Sequence, residues 1–116
     1  DVIHCGGLSE IRKIAAMAET YYMQVAPHNP RGPIATAASL HLCSSIPNFI
    51  ILEYLDAEPW FTKVQKEPLK INSGYFYIST KPGLGVDLDE AVILSSPYKA
   101  ITYNGAFYQD GGIADV

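Results

Sequence analysis

Apolar and polar positions recur with a helical period in the first quarter of the chain. From Ile11 onward, apolar residues return every three or four positions, which is typical of an amphipathic helix with one buried face. Ser9 can cap this helix, which we place over residues 10–22. The residues expected on its buried face are Ile11, Ile14, Ala15, Ala18 and Tyr22.

Two apolar segments are predicted to be strands. Residues 23–26 lead into a proline-rich turn, and residues 49–53 form an apolar run that ends in Glu53. A run that is apolar at every position is typical of a parallel strand buried on both faces. Between them, residues 33–43 are nearly all small or apolar, and Pro33 suits the first turn of a helix. The order helix, strand, helix, strand predicts an α/β fold with parallel strands.

The pattern changes after this part, so we divide the chain into residues 1–55 and a tail of residues 56–116. The tail is expected to pack away from the parallel strands as a small antiparallel element. Its predicted pieces are a helical turn at 59–61, a strand at 74–79, an extended segment at 101–109, and turns at 81–85 and 110–112.

Composition excludes several classes of protein. With 116 residues and a net charge of −4, the chain has room for one domain at most and no basic face for nucleic acid. No apolar run has the length of a membrane helix, so no membrane partner is expected. Two cysteines are too few for a disulfide framework, so a reduced, cytoplasmic location is expected. Cys5 and Cys43 are predicted to be reduced packing residues. The start at Asp1, without a methionine, favours a fragment or a processed product.

A histidine follows the first predicted strand almost at once. His28 stands at the carboxyl end of that strand, where α/β folds hold their chemistry. Asp1 lies 27 positions before it and Glu53 lies 25 positions after it. Because consecutive parallel strands end side by side, we expect Asp1 and His28 about one strand spacing (~4.8 Å) apart. Imidazole titrates near neutral pH, which makes His28 a candidate general acid or base.

Each of these residues also has a purely structural interpretation. His28 could be a capping or packing residue, Asp1 a frayed terminal residue, and Glu53 a solvated residue at the rim of the sheet. In the functional interpretation, the Asp1 carboxylate orients the imidazole, and a buried Glu53 donates a hydrogen bond to an oxyanion. Of the remaining histidines, His41 is expected to pack on its helix, whereas His4 could line a site. No metal-ligand spacing stands out.

Several stretches of the chain together resemble the enolase superfamily, specifically its mandelate racemase-like acid-sugar dehydratases of the galactonate type. The Ala-Pro-His-Asn-Pro block at residues 26–30, with its spacing to both carboxylates, is the specific part of the resemblance. The matching positions are residues 1, 4–10, 12–15, 26–33, 37–42, 47–49, 53, 82–86 and 110–115.

The resemblance implies a fold and a site. The fold is the C-terminal portion of a (β/α)₈ TIM-type barrel, from the end of strand six to strand eight, with a tail that returns to the capping domain. Asp1 would pair with the catalytic His28, which acts as an acid on the leaving hydroxyl in dehydratases and as a base in racemases. Glu53 would hydrogen-bond the carboxylate of the substrate. The family's usual Gln before this glutamate is Leu52 here.

The resemblance also implies a reaction and a cofactor. The parent protein is expected to be a Mg²⁺-dependent hydro-lyase and a homo-oligomer, which converts a small sugar acid to a 2-keto-3-deoxy acid. The metal ligands of the family lie on strands three to five, so none is expected in this chain, and the chain alone is expected to be inactive. A racemase or epimerase of the same superfamily and a non-catalytic truncated remnant are the alternatives.

Overall fold

The structure is a computed structural model that describes residues 1–55, 59–100 and 107–112. Three helices are followed by a small antiparallel pair of strands and a fourth helix, and the predicted α/β class is confirmed. Within these ranges, no helix has the length and apolar character needed to cross a membrane. In chain order the elements are α1 (Leu8–Thr20), α2 (Pro33–Ser45), α3 (Pro59–Lys63), β1 (Ile71–Asn72), β2 (Tyr75–Phe76) and α4 (Glu90–Leu94).

Helix α1 begins two residues earlier than predicted. Gly7, with φ 100°, precedes its first residue, and its N–H donates to Val2 O at 2.8 Å. A left-handed φ of this kind favours glycine and lets the chain turn directly from the preceding loop into the helix. Ser9 therefore lies inside the first turn, and the predicted serine cap is wrong because no side chain caps this helix.

The buried face of α1 is narrower than predicted. Ile11 is 4% exposed and Ala15 is buried, but Ile14 is 50% exposed. Helix α1 packs on α2 along one line of side chains, so a residue one position from that line faces outward. Tyr22 is also exposed, because α1 ends at Thr20 and Tyr22 follows it with a left-handed φ of 57°.

Helix α2 is the centre of the core. Pro33 occupies its first turn as predicted, where a missing N–H costs nothing. Its small side chains let α1 and the strand-like segments approach closely, and most of its residues are buried. The buried core cluster is Val2, Ile11, Ala15, Ala35, Ala38, Leu42 and Ile46, with Cys5, Val25, Phe49 and Leu84 packed against it.

The two predicted strands meet as a single parallel pair, Val25 with Phe49, rather than as full strands. Val25 N donates to Asn48 O at 2.8 Å, and Ile50 N donates to Val25 O at 3.1 Å. The ladder cannot continue regularly because Pro27 has no N–H to donate. The prediction of regular strands at 23–26 and 49–53 is therefore wrong in length, although the parallel direction is confirmed.

Pro27 also shifts the register of this pair by one residue. Its carbonyl accepts from Glu53 N at 3.3 Å, where an unbroken ladder continued from Val25 and Ile50 would use Leu52 N. The second segment thus contains one extra residue, as in a β-bulge. β-Bulges change the direction of side chains and are common beside active sites. The backbone of Glu53 is thereby fixed next to the residue that precedes His28.

The tail folds back onto the first part of the chain. β1 and β2 pair antiparallel through a tight turn in which Ser73 and Gly74 both have positive φ. The strand predicted at 74–79 is therefore observed only at Tyr75–Phe76. Phe76 contacts Tyr54 edge to face, with ring centroids 4.7 Å apart. His41 Nε2 lies 3.2 Å from Leu84 O. The expectation that the tail packs away from the parallel segments is therefore wrong.

The remaining tail predictions have mixed outcomes. The helical turn at 59–61 is confirmed within α3, and the turns at 81–85 and 110–112 are confirmed. Of the extended segment predicted at 101–109, residues 101–106 lie outside the described residues. Helix α4 was not predicted; Asp89 caps it by accepting hydrogen bonds from two backbone N–H groups of its first turn.

The exposure difference within α1 provides a matched stability test. Ile11→Ala should lower the free energy of unfolding of the 116-residue chain by roughly 2–5 kcal/mol, because a cavity opens in the core. Ile14→Ala should change it by less than about 1 kcal/mol, because Ile14 is half exposed. Urea unfolding followed by circular dichroism measures both. Equal effects of the two substitutions would contradict the assigned core.

Candidate active site

The carboxylate of Asp1 is the most enclosed charged group of the site. Its side chain is only 6% exposed. Oδ1 accepts from Ile3 N at 2.8 Å and from His4 N at 3.2 Å. Oδ2 lies 2.9 Å from His28 Nδ1 and accepts from Arg31 Nε at 3.2 Å. Four donors hold this carboxylate, so Asp1 is not a frayed terminal residue.

His28 is oriented by that contact. Because a carboxylate only accepts hydrogen bonds, Nδ1 of His28 carries the proton toward Asp1. Nε2 is directed to the other side, 3.8 Å from Glu53 Oε2. The imidazole is 54% exposed, so Nε2 can reach a molecule that arrives from solvent. This geometry is suited to proton transfer at Nε2.

Glu53 completes the group of three residues that the sequence predicted. Its backbone N–H is bonded to Pro27 O, and its side-chain Oε2 accepts from Asn29 N at 3.1 Å. With 48% of the side chain exposed, Glu53 lies at the rim and faces His28. The structure thus brings Asp1, His28 and Glu53 to one edge, and their catalytic roles stay predictions.

Asn29 anchors the loop that carries the site to helix α2. The residue is 1% exposed, and its Nδ2 donates to Thr36 Oγ1 at 3.1 Å. Thr36 in turn donates to Arg31 O at 3.3 Å. Thr36, in the first turn of α2, is therefore hydrogen-bonded to two residues of the loop that precedes this helix, Asn29 and Arg31. A rigid support of this kind fixes the position of the neighbouring imidazole.

Sequence reasoning missed the part played by Arg31 and left His4 unspecified. Arg31 Nε contacts Asp1, and its Nη2 lies 2.6 Å from His4 Nε2. The rings of His4 and His28 are 6.5 Å apart between centroids. Arg31 stands only three residues after His28, but its place between two prolines and a glycine gives no sign of the direction of its side chain.

The residues of this site do not fit a magnesium ion by themselves. Among the described residues, no group of three or more His, Cys, Asp or Glu side chains could hold a metal. Both oxygens of the Asp1 carboxylate are occupied by donors, and Glu53 faces an imidazole. A magnesium site needs several oxygen ligands in octahedral geometry. The ligands of any magnesium ion must therefore come from residues outside this group.

The other histidine and the cysteines behave as structural residues. His41 is half-buried and bonded to the backbone of Leu84, which confirms its packing role. Cys5 and Cys43 are both free. Burial raises the pKa of the Cys43 thiol to about 11, an effect larger than the opposing hydrogen bond with its own backbone. Cys43 is therefore a protonated packing residue.

A histidine and two carboxylates thus lie at the carboxyl edge of a parallel pair, which is where α/β barrel enzymes hold their active sites. Residues 1–92 match the family model described as enolase C-terminal domain-like. The chain belongs to this family, whose domain is a (β/α)₈ barrel, and the described part is a partial α/β fold of that kind.

Similar proteins support the same family. A D-galactonate dehydratase family member from Streptomyces bingchenggensis is 39% identical over 98% of this chain and 28% of its own length. A mandelate racemase/muconate lactonizing enzyme from Sulfitobacter sp. is 42% identical, with a TM-score of 0.75 over 86% of this chain and 24% of that one. An enolase from Agrobacterium radiobacter, with bound Na and L-malate, is 33% identical, with a TM-score of 0.79 over 96% of this chain and 32% of that one.

The chain thus spans less than a third of the length of these relatives. One of them is named a D-galactonate dehydratase family member and another a mandelate racemase/muconate lactonizing enzyme. The resemblance of the sequence to the enolase superfamily is confirmed.

The anchoring of the site loop can be tested at Thr36. Thr36→Val should destabilise the 116-residue chain by about 1–3 kcal/mol, because the amide of Asn29 loses its acceptor in a buried environment. Thr20→Val is the matched control: the Thr20 hydroxyl bonds Ala16 O at an exposed position, so its loss should change stability by less than about 0.5 kcal/mol. Urea unfolding of both variants compares them, and a Thr36→Val effect no larger than that of the control would refute the anchor.

The raised pKa of Cys43 predicts slow alkylation. With a pKa of about 11, only about one Cys43 thiol in a thousand is ionised at pH 8, and the thiolate is the reactive form. Iodoacetamide should therefore label Cys43 at least tenfold more slowly in the native chain than in urea, as measured by peptide mass spectrometry. Raising the pH from 8 toward 11 should accelerate native labelling. Equal labelling rates with and without urea would contradict the burial of this thiol.

Proposed function

We propose that this chain is part of a Mg²⁺-dependent acid-sugar dehydratase of the galactonate type. The parent enzyme would eliminate water from an aldonate to give a 2-keto-3-deoxy acid. The observation that carries the proposal is the geometry of His28, with Nδ1 on Asp1 at 2.9 Å and Nε2 directed toward Glu53 at 3.8 Å. The likeness to a D-galactonate dehydratase family member supports the substrate class.

In this proposal, His28 is the general acid of the elimination. A base of the parent enzyme removes the proton α to the carboxylate and leaves an enediolate. The bond between the β-carbon and its hydroxyl then breaks, and the electron pair departs with the oxygen. For this step His28 must be an imidazolium, with Nδ1–H on Asp1 and a second proton on Nε2. The Nε2 proton moves to that oxygen and leaves the ring neutral, so water departs, and the resulting enol tautomerises to the 2-keto acid. Acid catalysis by a positioned side chain contributes typically 10²–10⁴-fold to a rate.

Asp1 and Glu53 have supporting roles. Asp1 holds the ring so that Nε2, rather than Nδ1, faces the substrate, as in other aspartate–histidine pairs. Glu53, when it carries a proton, can donate a hydrogen bond to a substrate carboxylate oxygen at the rim. That hydrogen bond would strengthen as negative charge develops on the enediolate. A contact that is stronger in the transition state than in the bound substrate accelerates the reaction.

Magnesium would be held by residues outside this chain. When bound, it would supply electrostatic stabilisation of the negative charge on the substrate. Because the described residues offer no such ligand group, we propose that the 116-residue chain is inactive alone. A truncated, non-catalytic remnant is the corresponding alternative, and turnover by the chain alone would exclude both.

A racemase or epimerase is the alternative within the same superfamily. The likeness to a mandelate racemase/muconate lactonizing enzyme favours it. In that reaction His28 would act as a base at Nε2 instead of an acid. The two reactions differ in product, because racemisation keeps the hydroxyl and exchanges the α-proton with solvent, whereas dehydration releases a keto acid.

The organisation of the parent protein is part of the proposal. Residues 1–55 would supply the last strand–helix units of the barrel, from the end of strand six to strand eight. Residues 56–116 would form a tail associated with the capping domain. The parent would be a cytoplasmic homo-oligomer that binds a small sugar acid. The net charge of −4 and the scattered basic residues disfavour binding to nucleic acid or to an anionic membrane.

The decisive experiment uses the full-length enzyme that contains this chain. With galactonate and Mg²⁺, His28→Gln should lower the rate of keto-acid formation by about 10²–10⁴-fold, because the proton donor is lost. His41→Gln is the matched control and should leave the rate within about twofold, because a glutamine amide can still bond Leu84 O. Solvent deuterium at the α-carbon without keto acid would instead identify a racemase.

A further inference from the structure

Oδ2 of Asp1 receives a second donor besides the histidine. Arg31 Nε donates to the same oxygen at 3.2 Å that His28 Nδ1 contacts at 2.9 Å. Asp1 is 6% exposed and the Arg31 side chain is 32% exposed, so this ion pair is largely shielded from water. A guanidinium and an imidazole therefore share one carboxylate oxygen.

Arg31 is itself held from its other end. Its Nη2 donates to His4 Nε2 at 2.6 Å, because a guanidinium has no acceptor atom. The His4 ring therefore carries its proton on Nδ1 when it is neutral. A chain of contacts runs from His4 through Arg31 and Asp1 to His28. Its two ends come from the loop before α1 and from the loop before α2, so it joins the two segments that carry the site.

The charged and titratable groups that face His28 are few. Asp1 lies on the Nδ1 side and Glu53 on the Nε2 side. Arg31 contacts Asp1, and the His4 ring lies 6.5 Å from the His28 ring between centroids. Without Arg31, Oδ2 would keep only the imidazole as its donor, while Oδ1 would keep the N–H groups of Ile3 and His4, so the carboxylate could pivot about Oδ1. The histidine ring could then turn and present either nitrogen to Asp1 or to Glu53.

We propose that Arg31 is a positioning residue for the reaction of His28. It holds the Asp1 carboxylate in the orientation that keeps Nδ1 of His28 protonated and Nε2 directed toward Glu53 and the substrate. The inference builds on the proposed function, in which Nε2 carries the proton that is transferred. Arg31 does not touch the reacting atoms, so its effect passes entirely through Asp1.

The kinetic test begins with single substitutions in the full-length enzyme. Arg31→Met should lower kcat by roughly 10–100-fold while KM changes less than about threefold, because the ring is misplaced but the binding groups remain. Arg31→Lys should recover part of kcat, since one donor to Asp1 is restored. Arg12→Met, at an exposed position of α1, is the control and should leave kcat unchanged.

Coupling to Asp1 separates positioning from a merely structural role. If Arg31 acts through Asp1, then Arg31→Met combined with Asp1→Asn should be no slower than Asp1→Asn alone. Multiplicative losses in the double variant, or an unchanged kcat in Arg31→Met, would overturn the proposal. The proposal would also be overturned if kcat fell only in proportion to the melting temperature of each variant and Arg31→Lys recovered none of the lost kcat.

A spectroscopic readout tests Arg31 independently of the reaction. In ¹⁵N-imidazole spectra of the full-length protein, recorded at a pH at which the ring is neutral, His28 should show one tautomer, protonated on Nδ1, and Arg31→Met should show both tautomers. An unchanged His28 spectrum in Arg31→Met would refute the positioning role, whatever the substrate. If the enzyme shows no activity on galactonate but the spectrum changes, the proposed function fails while the role of Arg31 stands.

Discussion

The parallel contact between Val25 and Phe49 is the constraint on which the site depends. It places the ends of two separate segments side by side, and the carbonyl of Pro27 then takes the N–H of Glu53 instead of that of Leu52. Pro27 interrupts the ladder at this point, because it has no N–H of its own to donate. The irregularity that shortens the sheet therefore also brings Glu53 to His28.

The second constraint is the burial of a charge. An ionised carboxylate with 6% exposure would be costly, by several kcal/mol, if it lacked partners. Hydrogen bonds to a charged group contribute about 1.5–3 kcal/mol each, so the four donors around Asp1 together offset that penalty. Two of these donors are backbone N–H groups of the loop that follows Asp1. The same carboxylate therefore both stabilises the fold of that loop and orients His28.

The apolar surface of the chain is only partly covered. Ile50 and Ile51 are exposed, and a groove of about 600 Å³ lies between the second parallel segment and the β1–β2 hairpin. A parallel strand is buried on both faces only when neighbours cover both. This exposure agrees with a chain that spans 28% of the length of a relative. The core that does exist is formed by α1 and α2 over the contact of Val25 with Phe49.

The sequence by itself determined the helices at 8–20 and 33–45 to within about two residues, the α/β class, and the spacing that brings Asp1, His28 and Glu53 to one edge. The first helix follows from hydrophobic period, the second from its run of small and apolar residues after Pro33, and the site from the side-by-side ends of parallel strands. These are local or nearly local properties. Only the tertiary structure decided the rest. Ile14 faces outward because α1 meets α2 along a narrow line, and Arg31 joins Asp1 because two distant loops converge. No periodicity within a segment encodes such a contact between segments.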